Sequence, residues 1–412
     1  MATISLIHEK WPWNSRFQGY NDKVRKFYTG IDIGTHQVKV VIASPPTSPD
    51  LPMQILGTGT ASSRSMRHGY ILDTKEATKS VKEALGRAAA AAKIRVTTAR
   101  VGVGGVGLDE LRSTGDVTLT QSGGIVTGRD MERCVKEAEK RAGSRLVNRT
   151  MLHAIPLEYR VDGSKVFGKP EGLQGTKLSV DALLITLLTQ HHDDIVDAVE
   201  AAGVEVEGVM ASPIAASFVT LTKAQKTAGV VLANIGAETL SIIIFDNDTP
   251  ISLKVFPAGA GDITNSIALN FQVALPEAEQ LKRGAVSGSE IPQKKMQSLV
   301  TNQLKDMFTL VNAHLKAIGR HRLLPAGIVI TGGGSGLVNA QDIARTVLRL
   351  PSQLGQIGQL PRSSSVDATW AVAYGLCRWA FAEDMSGPAH SVAEVMRDGW
   401  DSLKNSLRSL LP

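Results

Sequence analysis

Two stretches of the chain place a polar residue, a hydrophobic residue and a glycine between runs of β-branched residues. The first, at residues 28–42, contains Asp32-Ile-Gly-Thr35, and the second, at 229–245, contains Asn234-Ile-Gly-Ala-Glu-Thr239. Each pattern predicts a β-hairpin with glycine at its turn. Glycine leaves room for a phosphate group against backbone N–H groups, and an aspartate beside it can hold a water-clad Mg²⁺ ion.

A single hairpin of this kind is explained equally well as an ordinary tight turn. The sequence, however, carries two such hairpins and a third glycine cluster, Thr-Gly-Gly-Gly-Ser-Gly, at residues 331–336. The three together favour one shared phosphate-binding site.

The composition is typical of a soluble globular protein. The chain has 412 residues, enough for two or three domains, with 43% hydrophobic and 20% charged residues. Cys134 and Cys377 have no metal-type spacing, so we expect a reducing, cytosolic setting. We expect neither a signal peptide nor a membrane span, because no suitable apolar run occurs. The dispersed net charge of +6 gives no support for nucleic-acid binding.

The elements around the hairpins predict α/β domains. Residues 54–60 read as a strand, 62–70 as a loop and about 75–93 as a helix that Asp73 caps. Further strands are expected at 101–106, 113–119, 152–160, 176–182 and 183–188, with helices at 127–141 and 193–202 and a loop at 162–175. Pro213 is expected to open a helix that ends near residue 226, and the remaining helices are expected at about 262–271, 277–283, 298–318, 338–348 and 370–381.

The end of the sequence predicts an amphipathic helix. At 100° per residue, six large apolar side chains share an arc of about 100°, and two cations flank it. The apolar residues are Met396, Trp400, Leu403, Leu407, Leu410 and Leu411, and the cations are Lys404 and Arg408. Such a helix often docks on its own domain, but the Trp, the cations and the preceding Gly-Pro linker favour a membrane interface. One copy offers roughly 5 kcal/mol, so binding would be reversible, whereas a polymer would bind firmly by avidity.

This order of parts resembles the actin-like ATPase superfamily, in which two similar α/β domains flank a nucleotide cleft. Within it, the sequence is most similar to the FtsA family of bacterial cell-division proteins. The resemblance covers residues 28 to 412 and is carried by 30–35, 153–162, 172–178, 259–268, 278–282 and 327–334. The stretches at 153–162 and 172–178 are specific, because they lie in a subdomain that this family inserts where actin has a different one.

The resemblance implies a division of the chain. Residues 1–27 would be a disordered leader. Residues 28–98 and 187–227, with part of 363–382, would form the first α/β domain, and 99–186 the inserted α+β subdomain. Residues 228–259 and 326–362 would form the second α/β domain, 260–325 a small subdomain, 383–395 a linker and 396–412 the membrane-targeting helix.

The resemblance also implies ATP or ADP with Mg²⁺ as ligand. Asp32 would orient metal-bound waters, Gly34 and Thr35 would hold a terminal phosphate, and Glu279 and Lys282 would contact ribose and base. The full set of nucleotide-binding candidates is Asp32, Gly34, Thr35, His36, Gln37, Lys39, Asn234, Gly236, Ala237, Glu238, Thr239, Gly259, Glu279, Lys282, Gly332, Gly333, Gly334 and Ser335.

Three positions depart from the family pattern. Gln37 stands where lysine is common, Ser266 where aspartate is common, and Asn234-Ile-Gly-Ala-Glu-Thr239 where Asp-x-Gly-Gly-Gly-Thr is common. Asn234 can bond a metal-bound water but cannot act as a base. If Glu238 faced a phosphate at about 4 Å, repulsion would be roughly 1 to 4 kcal/mol, so we expect it to point aside or be offset by Mg²⁺. We therefore predict nucleotide binding with slow or absent hydrolysis.

The resemblance further implies partners and a location. The C-terminal peptide of FtsZ would bind on 260–325, where Lys294, Lys295, Lys305, Arg320 and Arg322 could offer charge and where Gln303 stands at a position often occupied by arginine. The insert would carry protofilament contacts with other copies and bind later division proteins. The protein would polymerise on the cytoplasmic face of the bacterial cell membrane at the division septum.

Of three other families with related phosphate loops or folds, only PilM remains as an alternative interpretation. Sugar kinases share the phosphate loops but require a carboxylate base beside the acceptor, and no such motif is evident. Seventy-kilodalton chaperones require a further β-domain for which the chain is too short. PilM, a pilus-assembly relative, has a similar insert and first loop and differs in lacking the tail helix.

Overall fold

The computed structural model describes residues 26–47, 51–120, 122–284, 292–358 and 366–386. Most of the predicted leader, most of the linker and all of the tail helix at 396–412 lie outside the described residues.

The described elements follow in the order expected for two α/β units with an insertion. The strands are β1 Tyr28–Ile33, β2 Gln37–Ser44, β3 Gln54–Ser62, β4 Met66–Arg67, β5 Tyr70–Ile71, β6 Thr98–Val103, β7 Asp109–Thr118, β8 Arg149–Val161, β9 Ser164–Val166, β10 Lys177–Leu188, β11 Glu205–Ala211, β12 Val230–Ile235, β13 Leu240–Asp246, β14 Thr249–Phe256, β15 Ile328–Thr331 and β16 Ser352–Leu354. The helices are α1 Thr74–Ala92, α2 Gly128–Ala142, α3 Thr189–Glu200, α4 Ser212–Thr220, α5 Lys223–Ala228, α6 Ala260–Phe271, α7 Leu275–Lys282, α8 Gln293–Ala317, α9 Ala340–Leu348 and α10 Ala371–Ser386.

The first sheet has the strand order β11-β6-β1-β2-β3. Strand β1 is antiparallel to β2 and parallel to β6, so the β1–β2 turn projects from the end of the sheet. The helix α1 begins as predicted, because the Asp73 carboxylate accepts hydrogen bonds from Lys75 N at 2.9 Å and Glu76 N at 3.1 Å. The expected helix from Pro213 is in fact two, α4 and α5, since Thr222 caps a new helix.

The inserted unit is a separate sheet in the order β7-β10-β8-β9, with α2 packed on it. Its predicted start at Ala99 is wrong, because Ala99 lies in β6, which pairs within the first sheet. The two strands expected at 176–182 and 183–188 form one strand, β10, that pairs along both edges. The loop expected at 162–175 contains the short strand β9.

The insert contacts the edge of the second sheet. The Glu110 carboxylate accepts hydrogen bonds from Ser252 Oγ at 2.7 Å and from Leu253 N at 2.5 Å. Arg112 donates to Ile251 O at 3.1 Å. These bonds cover part of the edge strand β14, whose backbone would otherwise be open to another strand.

The second sheet has the order β14-β13-β12-β15-β16 and repeats the pairing of the first. Along β12, Val230 and Leu232 face the core shared with the first unit, while Val231 and Ala233 face the helices α6 to α9. Burial on both faces explains the continuous apolar run of this strand. The strand β16 was not predicted, because three residues carry little pattern.

Glycine allows α10 to lie against the first sheet and α4. A Cβ atom on Gly375 would come closer than 3.0 Å to the Ala215 carbonyl, and one on Gly30 would do the same at the Ala373 carbonyl. Cβ atoms essentially never approach backbone so closely. The spacing between β1, α10 and α4 therefore depends on these two glycines.

We predict that Gly375→Ala lowers the free energy of unfolding by about 1–3 kcal/mol, because the added methyl group forces α10 away from α4. Gly86→Ala is the matched control, since this exposed position in α1 has nothing within 4 Å of the new Cβ. That variant is expected to gain about 0.5–1 kcal/mol from helix propensity. Urea titration of both variants measures the difference, and equal stabilities would contradict the packing described for α10.

Candidate nucleotide cleft

A cleft of about 920 Å³ lies between the two α/β units, and both predicted hairpin turns line it. The two turns share one hydrogen-bond pattern, in which the glycine N–H donates to the carbonyl three residues later. Gly34 N donates to Gln37 O at 3.1 Å, and Gly236 N donates to Thr239 O at 2.8 Å. The flanking pairs also match, with Asp32 opposite Lys39 in the first hairpin and Asn234 opposite Ser241 in the second.

Most of the predicted nucleotide-binding residues line this cleft. They are Asp32, Gly34, Thr35, His36, Gln37, Lys39, Asn234, Gly236, Ala237, Glu238, Thr239, Glu279, Lys282, Gly332 and Gly333. Gly259, Gly334 and Ser335 are not among its lining residues. These three shape the backbone around the cleft instead.

The second turn is supported by the start of helix α6. Ala260 N donates to Gly236 O at 2.9 Å and Gly261 N donates to Ala237 O at 2.7 Å. A Cβ on Gly259 would come within 3.0 Å of the Ala237 backbone. The close approach of α6 therefore explains why the sequence has glycine at 259.

The third glycine cluster packs against the strand that leads into the second turn. Gly332 has φ of 85° and lies too close to Asn234 and Ile235 to accept a Cβ, and Gly334 lies against the Ile235 side chain. Ser335 Oγ donates to Gly332 O at 2.7 Å and closes the turn locally. Gly333, by contrast, has open space around it, so its backbone is accessible to a ligand.

Asp32 and Lys39 stand opposite each other on β1 and β2 beside the first turn, and their charges influence one another. Burial raises the pKa of Asp32 from 3.8 to about 6, although the Lys39 charge opposes this shift. Burial also lowers the pKa of Lys39, against the attraction of Asp32 and Asp367. Lys39 Nζ donates to Thr369 O at 2.7 Å. A cation is thus present near Asp32 although Gln37 is not the lysine common in the family.

Glu279 and Lys282 form a fixed cluster at the α6–α7 side of the cleft. The carboxylate of Glu279 lies 2.6 Å from Lys282 Nζ, accepts from Thr264 Oγ1 at 2.7 Å and lies 2.9 Å from Arg283 Nε. Burial alone would raise the pKa of Glu279, but these three donors outweigh it and hold the pKa at about 2. Lys282 also donates to Ala260 O at 3.0 Å, so its ammonium group is held in place.

One wall of the cleft is formed by residues that the sequence does not predict to be part of the site. The predicted loop at 62–70 is a small hairpin of β4 and β5, whose turn brings Arg67, His68 and Gly69 into the lining. His68 has φ of 49° and Gly69 has φ of 89°. A polar residue followed by glycine is a turn signal, but only the fold places this turn at the cleft.

The turn at His68 bonds directly to the second hairpin. His68 N donates to Glu238 Oε2 at 2.5 Å, and His68 Nδ1 lies 3.2 Å from Glu238 O. The carboxylate of Glu238 is therefore directed at the first unit, where His68 also lines the cleft.

Two family models match the chain. The model described as cell division protein FtsA matches residues 231–393, and the model described as the SHS2 domain inserted in FtsA matches residues 106–186. Together these ranges span more than half of the chain. The SHS2 match coincides with the inserted sheet of β7 to β10.

Individual proteins of the same description are similar to this chain in sequence. Cell division protein FtsA of Pseudomonas aeruginosa is 26% identical over 391 residues, covering 89% of this chain and 92% of that protein. Proteins of the same description from several other bacteria also match.

Solved structures share the fold. A PilM–PilN type IV pilus biogenesis complex matches with TM-score 0.65 and 18% identity, covering 86% of this chain and 98% of that chain. MreB 5 of Spiroplasma citri bound to AMPPNP matches with TM-score 0.50 and 12% identity, covering 88% of this chain and 99% of that chain. The actin-like architecture with its inserted subdomain is therefore confirmed, and the chain belongs to the FtsA family of bacterial cell-division proteins.

Proposed function

We propose that this protein is an actin-like, ATP- or ADP-binding cell-division protein that polymerises on the inner face of the cytoplasmic membrane at the septum. There it would anchor FtsZ filaments and recruit later division proteins. The observation that carries the nucleotide part is the pair of matched turns, at Gly34 and Gly236, that line one cleft from two different sheets. A ligand with several phosphates can bond both turns at once and so join the two units.

The residues present fit a Mg²⁺–nucleotide complex. Asp32 would hold waters of the metal, and the backbone N–H groups near Gly34 and Gly236 would contact phosphate. Within the part of the chain that the structure describes, no group of three or more His, Cys, Asp or Glu converges on a metal position. The ion would therefore be held through phosphate, water and a single carboxylate, as is common for Mg²⁺. The fixed Glu279 and Lys282 would face the ribose and base.

Hydrolysis would be slow or absent. Asn234 stands where a carboxylate is common, and its amide can orient a water but cannot take a proton from it. Nucleotide would then act mainly as a structural ligand. A phosphate-release assay with Mg²⁺ and ATP is expected to give less than about one turnover per second, below the usual range for enzymes, and turnover of ten per second or more would overturn this part of the proposal.

The FtsZ peptide would bind on the small helical subdomain. Helix α8 presents Lys294, Lys295 and Lys305 as exposed cations. Arg320 is less available than the sequence suggested, because it pairs with Asp246 at 2.9 Å. Gln303 donates to Ser266 Oγ at 3.1 Å, so these two unusual residues bond each other. An acidic and apolar peptide fits the three lysines, though surface lysines are also common solvated groups.

Membrane attachment is proposed from the sequence of the tail. No helix in the described ranges is long and apolar enough to cross a membrane. The tail at 396–412 would instead lie in the interface with its apolar arc, from Met396 to Leu411, toward the lipid. This distinguishes the proposal from the alternative, a PilM-like pilus-assembly module, which shares the fold but would not need a lipid-binding tail. The insert would supply the contacts between copies of the protein in a protofilament. It would also bind later division proteins.

We predict that Asp32→Asn weakens nucleotide binding in Mg²⁺ at least tenfold and at the same time stabilises the nucleotide-free protein. The pKa of Asp32 is raised in the fold, so its contribution to stability is fully present below about pH 4 and is lost as the pH rises through about 6. The variant should therefore exceed the parent protein by about 1–3 kcal/mol at pH 7.5 and match it near pH 4. Calorimetric titration with Mg²⁺–ADP and urea unfolding at both pH values measure these changes. Unaltered affinity would contradict the assigned role of Asp32.

We predict that Leu407→Glu releases the protein from vesicles that contain anionic lipid, because the new carboxylate lies in the predicted apolar arc. Asn405→Glu is the matched control, since it adds the same group on the opposite side of the helix. Co-sedimentation should show at least a fivefold loss for the first variant and less than a twofold change for the second. Equal binding by both variants and by a chain lacking 396–412 would favour the PilM-like alternative.

A further inference from the structure

Glu238 is a cleft residue that the proposed function leaves without a role. It belongs to the second turn, where the family pattern has a glycine, and it occupies the position that His36 holds in the matched first turn. Glu238 nevertheless lines the cleft, together with both turns. A carboxylate beside phosphate-binding turns requires an explanation, because it repels the phosphates of a ligand.

The carboxylate makes a bond between the two α/β units. Glu238 Oε2 accepts from His68 N at 2.5 Å, while Glu238 O lies 3.2 Å from His68 Nδ1. The first contact joins a charged acceptor to a backbone donor, which is the stronger kind of hydrogen bond. Glu238 thus supplies from the protein an anion that connects the second unit to the first, a connection that the last phosphate of a nucleotide can also provide.

The position of His68 is fixed independently of any ligand. Strands β4 and β5 form a short hairpin around His68 and Gly69. Val106 N donates to His68 O at 3.1 Å, and a Cβ on Gly69 would collide with Gly105. Because this turn is packed against its own unit, the His68 N–H group that donates to Glu238 Oε2 is held in place by the first unit.

The charged residues of the cleft do not neutralise the negative charge of an additional phosphate. Its lining contains four cations and four carboxylates: Lys39, Arg67, Lys282 and Arg283 against Asp32, Glu238, Asp262 and Glu279. Lys282 and Arg283 are both engaged with Glu279. Lys39 and Arg67 therefore remain to balance Asp32, Glu238 and Asp262, which leaves no net positive charge for a terminal phosphate.

We infer that Glu238 makes this cleft select nucleoside diphosphates over triphosphates. Its carboxylate bonds the first unit in place of the terminal phosphate and repels that phosphate when a triphosphate enters. The inference rests on the proposed nucleotide site and specifies which ligand that site retains. A diphosphate is then sufficient to hold the two units together, since the third anionic contact is built into the chain.

The test compares the dissociation constants of ADP and AMPPNP, both with Mg²⁺, by calorimetric titration. In the natural protein ADP is expected to bind about tenfold or more tightly than AMPPNP. Glu238→Gln keeps the size of the side chain and an oxygen that can accept from His68 N, but removes the charge. This variant should bring the ratio of the two constants to within about twofold of unity, mainly through tighter AMPPNP binding.

Two further variants complete the test. Glu238→Gly removes both charge and bond, and should also lose the preference while binding ADP more weakly than Glu238→Gln does. Glu200→Gln, at an exposed site on α3, removes a charge outside the cleft and should leave the ratio unchanged. Equal affinity of the natural protein for ADP and AMPPNP, or an unchanged ratio in Glu238→Gln, would overturn the selectivity and leave the nucleotide site standing. Binding of neither ligand by the natural protein would overturn both.

Discussion

Close approach of backbone to backbone at a few glycines is the constraint on which the cleft depends. Gly30 and Gly375 set the distance between β1, α10 and α4, and so fix the strand that carries Asp32. Gly259 and Gly332 do the same for the second turn, by admitting the start of α6 and the end of β15 against its backbone. A side chain at any of these positions would displace an element that carries part of the site. The two turns face one cleft because these contacts leave each sheet little freedom.

Within this frame, the carboxylates Asp32, Glu279 and Glu238 each have a cation or a backbone donor as neighbour. Asp32 lies opposite Lys39, Glu279 holds Lys282 and Arg283, and Glu238 bonds a backbone N–H group of the other unit. Burial works against ionisation of Asp32, and this is an electrostatic cost that a bound Mg²⁺ ion would relieve. Groups fixed in this way need little rearrangement when a ligand arrives. This favours binding of a nucleotide, because little of the binding free energy is spent on rearrangement.

Much of the fold could be predicted because its signals are local. The β-branched runs, the Asp73 cap and the glycine turns each specify their own element, and the repeated hairpin reveals the relation between the two units. The predicted and observed strands differ where the local sequence pattern does not determine strand pairing or strand length. The sequence places residues 99–103 in the insert, because pairing partners cannot be read from one strand. It also divides β10 into two strands, because the length of β10 depends on its two neighbouring strands.

The candidate site was predictable to the same degree. Residues inside the two turns were found, whereas His68 was not, since it reaches the cleft only through the packing of Gly69 on Gly105. Gly259, Gly334 and Ser335 follow the family pattern but support the backbone around the cleft and do not line it. Only the folded structure separates these two roles. The position of Lys39 beside Asp32 follows from the pairing register of β1 and β2, which the sequence alone does not specify.

The central claim is that one nucleotide contacts both turns and thereby joins the two units. Amide hydrogen exchange measures this directly, since each turn has its own reporter in residues 33–37 and 235–239. With saturating Mg²⁺–ADP, exchange should slow in both segments together, at least tenfold relative to the free protein. Protection of only one segment, or of neither while ADP is bound, would contradict the account.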